Sequence, residues 1–494
     1  MKKLTKVLLF IFLIMCFIPG QNAAAYEATR DEQLDYLRSV FDFIKENYGG
    51  EIKADMFSEG VLEGIFGNLD PYTEYLSLKD AENFFNSIEG NYKGIGIAFV
   101  KTDAAVIITD VFSRSPADEA GIIAGDEIVA VDGQNIAGLS SDEISAMIKG
   151  PEGTKVKLTL KRNGQKALIN LELTRSEIEI NPVIYDIRGN IGYIAITTFN
   201  ANTNKYFLQA LSELDKRNIK KIILDLRDNP GGEVSQAVAV AENFVPAGLI
   251  TKLDYKSEKQ QDTEYYSNLK EKKYEVAVLV NGFTASASEI LAGAIQDTKA
   301  GVLVGTKTFG KSKVQQMVPL LTPEAYQKYK KLYNADTVSA IDLMQQYKII
   351  PADNEIIGWA KITIGEYFTP RGKRIDQVGL VPDVSVPDYK ATNGIDVRYI
   401  QKLSKKTKMT LHTKSGEVYN AEKILILLGY NLDKPDTNLD AKTFAAIKKF
   451  QKDKGLYPYG VLDFITQQKL NEALIQIILR YDKQYAKAVE LLGK

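Results

Sequence analysis

The residues best suited to chemistry lie in two short segments of the chain. Ser286 stands in the segment 285–290, directly after the apolar run 276–280, and this pattern predicts a strand followed by a helix. A serine at such a turn is held at the positive end of the helix, near backbone N–H groups that can bind an oxyanion. Lys311 follows twenty-five positions later, and Gln315 follows Lys311 by four. A serine nucleophile with a lysine base fits this arrangement.

The proton acceptor has to be Lys, Asp, Glu or Tyr, because His412 and Cys16 are the single histidine and the single cysteine of the chain. Their scarcity removes His-based triads, Cys–His pairs and His/Cys zinc sites. A lysine ordinarily titrates near ~10.4, so its pKa must fall by roughly three for work at neutral pH. This decrease corresponds to a destabilisation of the charged ammonium by ~4 kcal/mol, which burial can supply. We expect no metal and no cofactor.

Gln315 could orient the lysine, since residues four apart share a face on a helix and residues an even number apart share one on a strand. Lys313 does not keep this spacing. Ser288 is the rival nucleophile. It lies two positions after Ser286, so on a helix its side chain points in a different direction, and we favour a structural role for its hydroxyl. A serine-rich turn on its own would also fit simple helix capping.

A third segment, 224–232, is typical of a buried strand that ends in the glycine-rich turn Gly231-Gly232. We interpret Asp225, Arg227 and Asp228 as residues that brace this turn rather than react.

The elements around these segments alternate between strands and helices from residue 190 to about 388, which predicts an α/β core with mainly parallel strands. The expected strands are 192–198, 219–226, 276–280 and 301–304, and the expected helices are 205–216, 234–244 and 286–296. The polar stretch 252–273 is interpreted as an exposed excursion. The Tyr- and Lys-rich stretch 321–356 has helical periodicity and is interpreted as a lid or insertion.

Residues 88–175 have short β-like runs separated by turns, with one helix expected at Ser141–Ile148. This segment resembles a PDZ domain, on the motifs GIGI at 94–97, SPA at 115–117, AGI at 120–122, GDEI at 125–128, VDG at 131–133 and GT at 153–154. The resemblance implies that a peptide C-terminus binds at Gly94, Ile95, Gly96 and Ile97 as an added strand. Lys149 is interpreted as a solvated charge, with a regulatory contact as the alternative.

The chain from about residue 30 to 388 resembles the C-terminal processing (tail-specific) proteases, a Ser–Lys family of serine peptidases. The further markers are LDPYTEYL at 69–76, YFTPRG at 367–372 and GLVPD at 379–383. The resemblance implies Ser286 as nucleophile, Lys311 as general base and Gln315 as its orienting partner. It puts the oxyanion hole at the backbone N–H groups of Ala287 and of Gly231 and Gly232. The stretch 321–356 is longer than the family pattern leads us to expect.

The beginning of the chain has the pattern of a secretory signal peptide over residues 1–25, with Lys2, Lys3 and Lys6 before the apolar run 7–18. The alternative is an uncleaved membrane anchor. Cleavage would leave 59 basic and 63 acidic residues and no cysteine. Nucleic-acid binding is therefore disfavoured. Residues 26–87 are expected to be helical and could support a homodimer.

The tail, 408–494, follows a Lys-rich linker expected at 402–408. Residues 415–475 resemble a small three-helix peptidoglycan-binding domain, on motifs that include LLGY at 427–430, TFAAI at 443–447 and GVLDFIT at 460–466. Wall binding is favoured over a protein-interaction role. His412 is expected to be solvated or structural.

The sequence thus predicts a multidomain α+β protein with an N-terminal helical segment, a β-barrel-like PDZ module at 88–175, an α/β protease core at 176–407 and a C-terminal three-helix module. The predicted function is an exported, cell-envelope serine endopeptidase that captures protein C-terminal tails and cleaves through an acyl-enzyme. The alternatives are a non-catalytic PDZ scaffold tethered to peptidoglycan and a peptidoglycan hydrolase.

Overall fold

A computed structural model describes residues 30–51, 54–101, 105–112, 114–162, 167–257 and 260–493. The predicted signal peptide, 1–25, lies outside these residues. The chain divides into two compact units, Met1–Ile65 and Phe66–Lys494. No helix of the described residues combines the length and the apolar character needed to cross a bilayer.

The first unit contains helix α1 (Arg30–Asn47) and most of helix α2 (Ala54–Phe66). The second unit begins with strand β1 (Glu74–Ser77) and helix α3 (Leu78–Glu89), which Ser77 caps by accepting the N–H of Asp80 at 3.2 Å. The helical prediction for residues 26–87 is therefore confirmed for these helices and wrong for β1, which is too short to show a period of its own.

The elements of the PDZ segment are β2 (Asn91–Gly94), β3 (Ile97–Lys101), β4 (Val106–Val111), α4 (Pro116–Glu119), β5 (Glu127–Val131), β6 (Gln134–Asn135), α5 (Ser141–Ile148), β7 (Lys155–Lys161), β8 (Ile169–Thr174) and β9 (Ser176–Glu179). They form a sheet in the order β3-β4-β5-β7-β8, with β6 on β5. A separate pair, β2 and β9, links this sheet to the rest of the unit. The predicted helix at Ser141–Ile148 is confirmed, and a capping box between Ser140 and Glu143 begins it.

The central segment contains two sheets. Its elements are β10 (Val183–Arg188), β11 (Ile191–Ile196), α6 (Thr203–Lys216), β12 (Lys221–Asp225), α7 (Val234–Ala241), β13 (Gly248–Tyr255), β14 (Thr263–Ser267), β15 (Glu275–Val280), α8 (Ala287–Asp297), β16 (Gly301–Gly305), β17 (Lys313–Leu321), α9 (Pro323–Tyr333), α10 (Ala340–Tyr347), β18 (Ile356–Phe368) and β19 (Val384–Ser385). The first sheet has the order β10-β11-β12-β15-β16-β19, and every pair except β10–β11 is parallel. The prediction of a mainly parallel core is confirmed.

Both faces of this parallel sheet are buried, because helices pack on each of them and successive strand residues point to opposite sides. On β12, Ile222 and Leu224 pack with α6, α7 and α8, whereas Ile223 packs with the C-terminal helices. On β15, Ala277 and Leu279 also belong to the second core. The sheet therefore forms the middle layer of a three-layer unit.

The second sheet is antiparallel, in the order β1-β18-β13-β14, with β17 along the other edge of β18. Because β13 and β14 form a hairpin in it, the interpretation of 252–273 as an exposed excursion is wrong for these strands. Leu253 and Ser267 are buried in the hairpin. Its charged residues lie mostly on the outer face, which made the segment look polar throughout.

The stretch 321–356 joins β17 to β18 and is helical, as its periodicity predicts. It has a small core of its own, formed by Leu321, Tyr329, Leu343 and neighbouring apolar residues.

The C-terminal segment contains α11 (Gly416–Leu427), α12 (Ala441–Asp453), α13 (Phe464–Tyr481) and α14 (Lys483–Gly493). The three-helix prediction holds for α11 to α13, and α14 is an addition to it. The stretch 402–408 is not a free linker, because Leu403 is buried and exchanges two hydrogen bonds of 2.8 Å with Asn471. The N–H of His412 donates to the carbonyl oxygen of Leu439 at 2.7 Å, far from the serine segment in sequence.

Candidate active site

Three neighbouring parallel strands, β12, β15 and β16, end at the same edge of the sheet. β12 leads into the turn 226–232, β15 into the turn 281–286 and β16 into the loop 306–312. Ligands of open α/β sheets bind at the carboxyl ends of such strands. The topology therefore brings the glycine-rich turn, Ser286 and Lys311 to one place.

Ser286 has a strained backbone, with φ 56° and ψ −122°. A non-glycine residue at positive φ persists only where its surroundings fix it. The carbonyl oxygen of Ser286 lies 2.9 Å from the hydroxyl of Tyr367, and that hydroxyl lies 2.6 Å from the carbonyl oxygen of Lys311. Tyr367 is buried. Its hydroxyl can donate to only one of the two carbonyl oxygens at a time, but it lies within hydrogen-bond distance of both and so keeps the Ser286 and Lys311 segments side by side.

Glu289 connects the same two segments from inside the protein. Its carboxylate accepts the N–H of Ser286 and the N–H of Lys311, each at 2.9 Å. It also accepts the N–H of Gly310 at 2.8 Å and the hydroxyl of Thr308 at 2.5 Å. Burial raises the pKa of Glu289, and these donors act in the opposite direction. A carboxylate surrounded only by donors is satisfied in its ionised form.

Lys311 is half-buried, and its ammonium lies 4.7 Å from the ring centroid of Tyr72. Burial lowers the pKa of Lys311, and the nearby charge of Lys361 lowers it further. Desolvation disfavours the charged form of an amine, which is what a lysine base requires. Within the described residues, the ammonium donates no hydrogen bond to Ser286 or to Gln315.

Gln315 is held by Thr363 rather than by the lysine: its amide donates to the Thr363 hydroxyl at 3.4 Å. The predicted contact with Lys311 is therefore absent from this conformation. The shared-face argument fails because Lys311 precedes β17, and because the register of β17 on β18 shifts between Val314 and Gln315.

Tyr72 reaches the site through the marker segment 69–76. Asp70 accepts the N–H of Tyr72 at 2.8 Å and the hydroxyl of Thr73 at 2.6 Å. The hydroxyl of Thr363 on β18 donates to the same carboxylate at 3.2 Å. These bonds fix a tight turn against β18 and place the Tyr72 ring beside Lys311.

Two backbone N–H groups near Ser286 have no hydrogen-bond acceptor in the described part of the chain, those of Ala287 and Gly232. The N–H of Gly231 donates to Asn229 Oδ1 at 2.9 Å, so the prediction that it serves the oxyanion hole is wrong for this conformation. Gly231 has a steric role instead: a Cβ there would lie 2.7 Å from Cβ of Ser286 and 2.9 Å from N of Ala287.

The rival residues are engaged elsewhere. The hydroxyl of Ser288 is buried and donates to the carbonyl oxygen of Asn229 at 3.1 Å, which confirms its structural role. Lys313 forms ion pairs with Glu366 and Asp376.

The residues Asp225, Arg227 and Asp228 brace the glycine-rich turn, as predicted. Asp225 and Arg227 form a buried ion pair of 2.6 Å, and Arg227 raises the stability of the charged carboxylate, so the pKa of Asp225 is lowered despite its burial. Asp228, at φ 60°, pairs with Arg398 at 3.0 Å.

The predicted peptide site lies at the edge of the PDZ sheet, because β3 is its terminal strand in the described residues. The loop of Gly94, Ile95, Gly96 and Ile97 leads into β3. Tyr92, which the sequence did not single out, lies beside this loop: burial raises the pKa of Tyr92 to about 12, while hydrogen bonds to the backbone of Gly96 and Ile97 act against the rise. The ammonium of the exposed Lys149 lies 5.3 Å from the Tyr92 ring centroid.

Comparison with known proteins matches this architecture. Residues 190–386 match the model of Peptidase family S41, residues 94–173 that of the PDZ domain, and residues 414–470 that of the putative peptidoglycan binding domain. The carboxy-terminal processing protease CtpA of Bacillus subtilis is 32% identical over 482 residues, which are 97% of this chain and 93% of CtpA. The chain belongs to the carboxy-terminal processing protease family. CtpB of the same organism is 28% identical, over 91% of this chain and 87% of CtpB.

This member of the carboxy-terminal processing proteases is a serine-type peptidase with a PDZ domain and a peptidoglycan-binding domain. A probable CtpA-like serine protease of Staphylococcus haemolyticus is also similar, at 30% identity over 92% of this chain and 84% of that protein. The predicted mixed α+β multidomain fold is confirmed.

Sequence reasoning missed Glu289, Tyr367 and Tyr72 as parts of the protease site. Each stands inside a motif that was quoted for family resemblance, so the signal was present. A carboxylate one helical turn after a serine is read most simply as a capping residue. The donors that Glu289 meets on the loop 306–312 are distant in sequence and are identified only in the folded structure.

The substitution Glu289→Gln tests this carboxylate. The carboxylate of Glu289 accepts hydrogen bonds with both oxygens, whereas glutamine has an NH₂ group, itself a donor, in place of one oxygen. We therefore expect the free energy of unfolding to fall by about 1–3 kcal/mol. Peptide hydrolysis should also fall, by on the order of tenfold or more. Denaturant unfolding and an initial-rate assay measure the two effects. Glu242→Gln, on the exposed end of α7, is the matched control, and equal behaviour of the two variants would contradict the role of Glu289.

Proposed function

We propose that this protein is a C-terminal processing endopeptidase in which Ser286 is the nucleophile and Lys311 the general base. The observation that carries the proposal is the convergence of three strand ends, at which Glu289 ties the backbone of Ser286 to that of Lys311. The depressed pKa of Lys311 and the two N–H groups beside Ser286 support the same assignment.

In the first half of the reaction, the hydroxyl oxygen of Ser286 attacks the peptide carbonyl carbon, and neutral Lys311 takes the hydroxyl proton. The carbonyl oxygen becomes an oxyanion, which the N–H groups of Ala287 and Gly232 stabilise. The tetrahedral intermediate collapses as the C–N bond breaks. Protonated Lys311 then gives its proton to the leaving amine, and an ester on Ser286 remains.

In the second half, water replaces the amine. Neutral Lys311 takes a proton from water, whose oxygen attacks the ester carbonyl. Collapse of this second intermediate releases the carboxylic acid, and the proton returns to Ser286. Before either step Lys311 has to lose its proton, and its Nζ has to leave the face of Tyr72 and turn toward Ser286.

The PDZ domain delivers the substrate in this proposal. A peptide C-terminus adds to the open edge of β3, and its carboxylate binds at the loop of Gly94 to Ile97. The amides of Gly96 and Ile97, which face Tyr92 in the unliganded chain, would have to exchange that partner for the carboxylate.

The decisive experiment incubates the protein with an unstructured substrate protein that carries a native, a shortened or an amidated C-terminus. We expect cleavage of the native form to fall by about 10³-fold or more in Ser286→Ala, because the nucleophile is lost. We expect weaker cleavage of the shortened and amidated forms, since they lack the captured carboxylate. Gel and mass analysis of the products measures both. Ser235→Ala, on α7, is the control, and undiminished cleavage by Ser286→Ala would refute the proposed nucleophile.

The pH dependence of kcat/KM tests Lys311. Its neutral form is the active one, so the rate should rise with pH as the ammonium loses its proton. Because burial lowers the pKa of Lys311, the midpoint should lie below the usual range of lysine. Lys311→Arg keeps the charge but cannot lose its proton, and it should be inactive throughout. A wild-type profile that is flat from acid to alkaline pH would contradict the assignment.

We also propose that the protein is exported and acts at the cell envelope, where its C-terminal domain binds peptidoglycan. A cavity of about 400 Å³ on this domain, lined by Tyr430, Asp433, Lys442, Lys449 and neighbouring residues, offers aromatic and charged groups to such a ligand.

Co-sedimentation with insoluble peptidoglycan measures this binding. The wild-type protein should enter the pellet, and Lys449→Glu should do so several-fold less, because it reverses a charge at the cavity. Lys469→Glu, on α13 away from the cavity, is the control. Equal sedimentation of the two variants would remove the cavity from the proposal, and recovery of wild-type protein only in the supernatant would remove wall binding.

A further inference from the structure

The turn that carries Gly232 is held from its far side by the end of the chain. Arg227 lies in this turn, and its side chain is 2% exposed. Its Nε donates to Asp225 Oδ1 at 2.9 Å, and one Nη2 hydrogen goes to Asp225 Oδ2 at 2.6 Å. Asp225 is the last residue of β12, so this half of the contact is local.

The other half comes from residues 255 and 257 positions away. Arg227 Nη1 lies 3.0 Å from Asp482 Oδ1 and 3.2 Å from Gln484 Oε1, and Nη2 lies 2.9 Å from Asp482 Oδ2. A guanidinium has five N–H hydrogens in a fixed fork. Asp225, Asp482 and Gln484 accept hydrogen bonds from four of them, and the Nη2 contact with Asp482 adds an ion pair, so Arg227 is held from both sides.

Asp482 and Gln484 lie outside the segments that match the peptidase, 190–386, and the peptidoglycan-binding domain, 414–470. They stand where α13 ends and α14 begins. Apolar residues on both sides of this junction, among them Ile477, Tyr485 and Leu492, share one core with Ile223 and Leu279 of the parallel sheet. The junction is therefore a fixed part of the catalytic unit.

The same turn is attached to the serine segment at its other side. The carbonyl oxygen of Leu226 accepts the hydroxyl of Thr284 at 2.8 Å, and that of Asn229 accepts the N–H of Ala285 at 3.0 Å. The Asn229 side chain in turn accepts the N–H of Gly231. A displacement of Arg227 would thus move the backbone that aims the N–H of Gly232.

We propose that Asp482 is a positioning residue for peptide hydrolysis, which acts through Arg227 to fix the turn 226–232 and the oxyanion donor at Gly232. The inference rests on the proposed function. Under it, the C-terminal segment completes the catalytic site as well as any wall-binding surface, and Gln484 assists as a neutral acceptor.

The substitution Asp482→Asn is a narrow probe. Asn retains the size of Asp and can still accept the N–H of Tyr485, which Asp482 accepts at 2.9 Å as it caps α14. The substitution removes a negative charge and one hydrogen-bond acceptor from the surroundings of the Arg227 guanidinium. We expect kcat to fall by about tenfold or more, since loss of an oxyanion donor altogether costs on the order of 10²–10³-fold. KM should stay within about twofold, because tail capture occurs on the PDZ domain.

A matched control separates positioning from simple loss of stability. Gln467 is a fully buried polar residue of the same helix, α13, and it donates to the carbonyl oxygens of Thr407 and Leu462, away from Arg227. Gln467→Ala should lower the midpoint of thermal unfolding but leave kcat near wild type at a temperature where the protein is folded. Equal kcat values for Asp482→Asn and Gln467→Ala, both folded, would overturn the inference.

A double-mutant cycle tests the route through Arg227. In an Arg227→Met background, Asp482→Asn should lower kcat by less than about twofold further, because its partner is gone. An undiminished additional loss would assign Asp482 a role independent of Arg227 and overturn the inference. If Asp482→Asn fails to fold, Gln484→Ala, which removes one neutral acceptor, should give a smaller loss of kcat with KM unchanged. Wild-type cleavage by Ser286→Ala would refute the proposed function instead, so the two failures are distinguishable.

Discussion

A buried carboxylate that faces only hydrogen-bond donors fixes the distance between two chain segments that are otherwise independent. Glu289 accepts the backbone N–H groups of Ser286 and Lys311, so neither segment can move away without taking a donor from a buried carboxylate. A hydrogen bond to a charged group contributes about 1.5–3 kcal/mol, and its loss in the interior is costly. The strained φ of Ser286 can persist because this carboxylate and the Tyr367 hydroxyl hold both sides of the residue. Ser286 and Lys311, the proposed catalytic residues, are thus set in place through their backbone, and these contacts leave their side chains free to turn.

The sheet topology supplies the second constraint. Three adjacent parallel strands deliver their loops to one edge, and the antiparallel sheet built on β18 closes the site from the side with Tyr72, Thr363 and Tyr367. Each contact contributes only about 1 kcal/mol. Their number, and their origin in distant parts of the chain, make the arrangement specific. The motif segments that identify the family in sequence are the ones that meet here, which gives a physical reason for their spacing.

Much of this could be predicted from the sequence because the signals are local. The strand before Ser286, the helix after it and the capped helix Ser141–Ile148 follow from apolar periodicity and turn residues. The hairpin of β13 and β14 was harder to predict, because the segment is rich in charged residues and an irregularity between Leu249 and Thr251 interrupts the alternation of side chains along β13. The Gln315 contact failed for a similar reason, since an irregular register on β18 breaks the spacing rule. The role of Asp482 could not be predicted at all, because its pairing with Arg227 spans more than 250 positions and affects neither composition nor periodicity.

The packing of the last helices on the parallel sheet also gives the protein an order of assembly. During synthesis, β12, β15 and β16 emerge long before α13 and α14, so one face of the sheet and the Arg227 side chain lack part of their contacts until those two helices have been made. A chain cut before α13 would keep Ser286 and Lys311, but it would expose apolar residues of the sheet such as Ile223 and Leu279 and leave the Arg227 guanidinium with Asp225 alone.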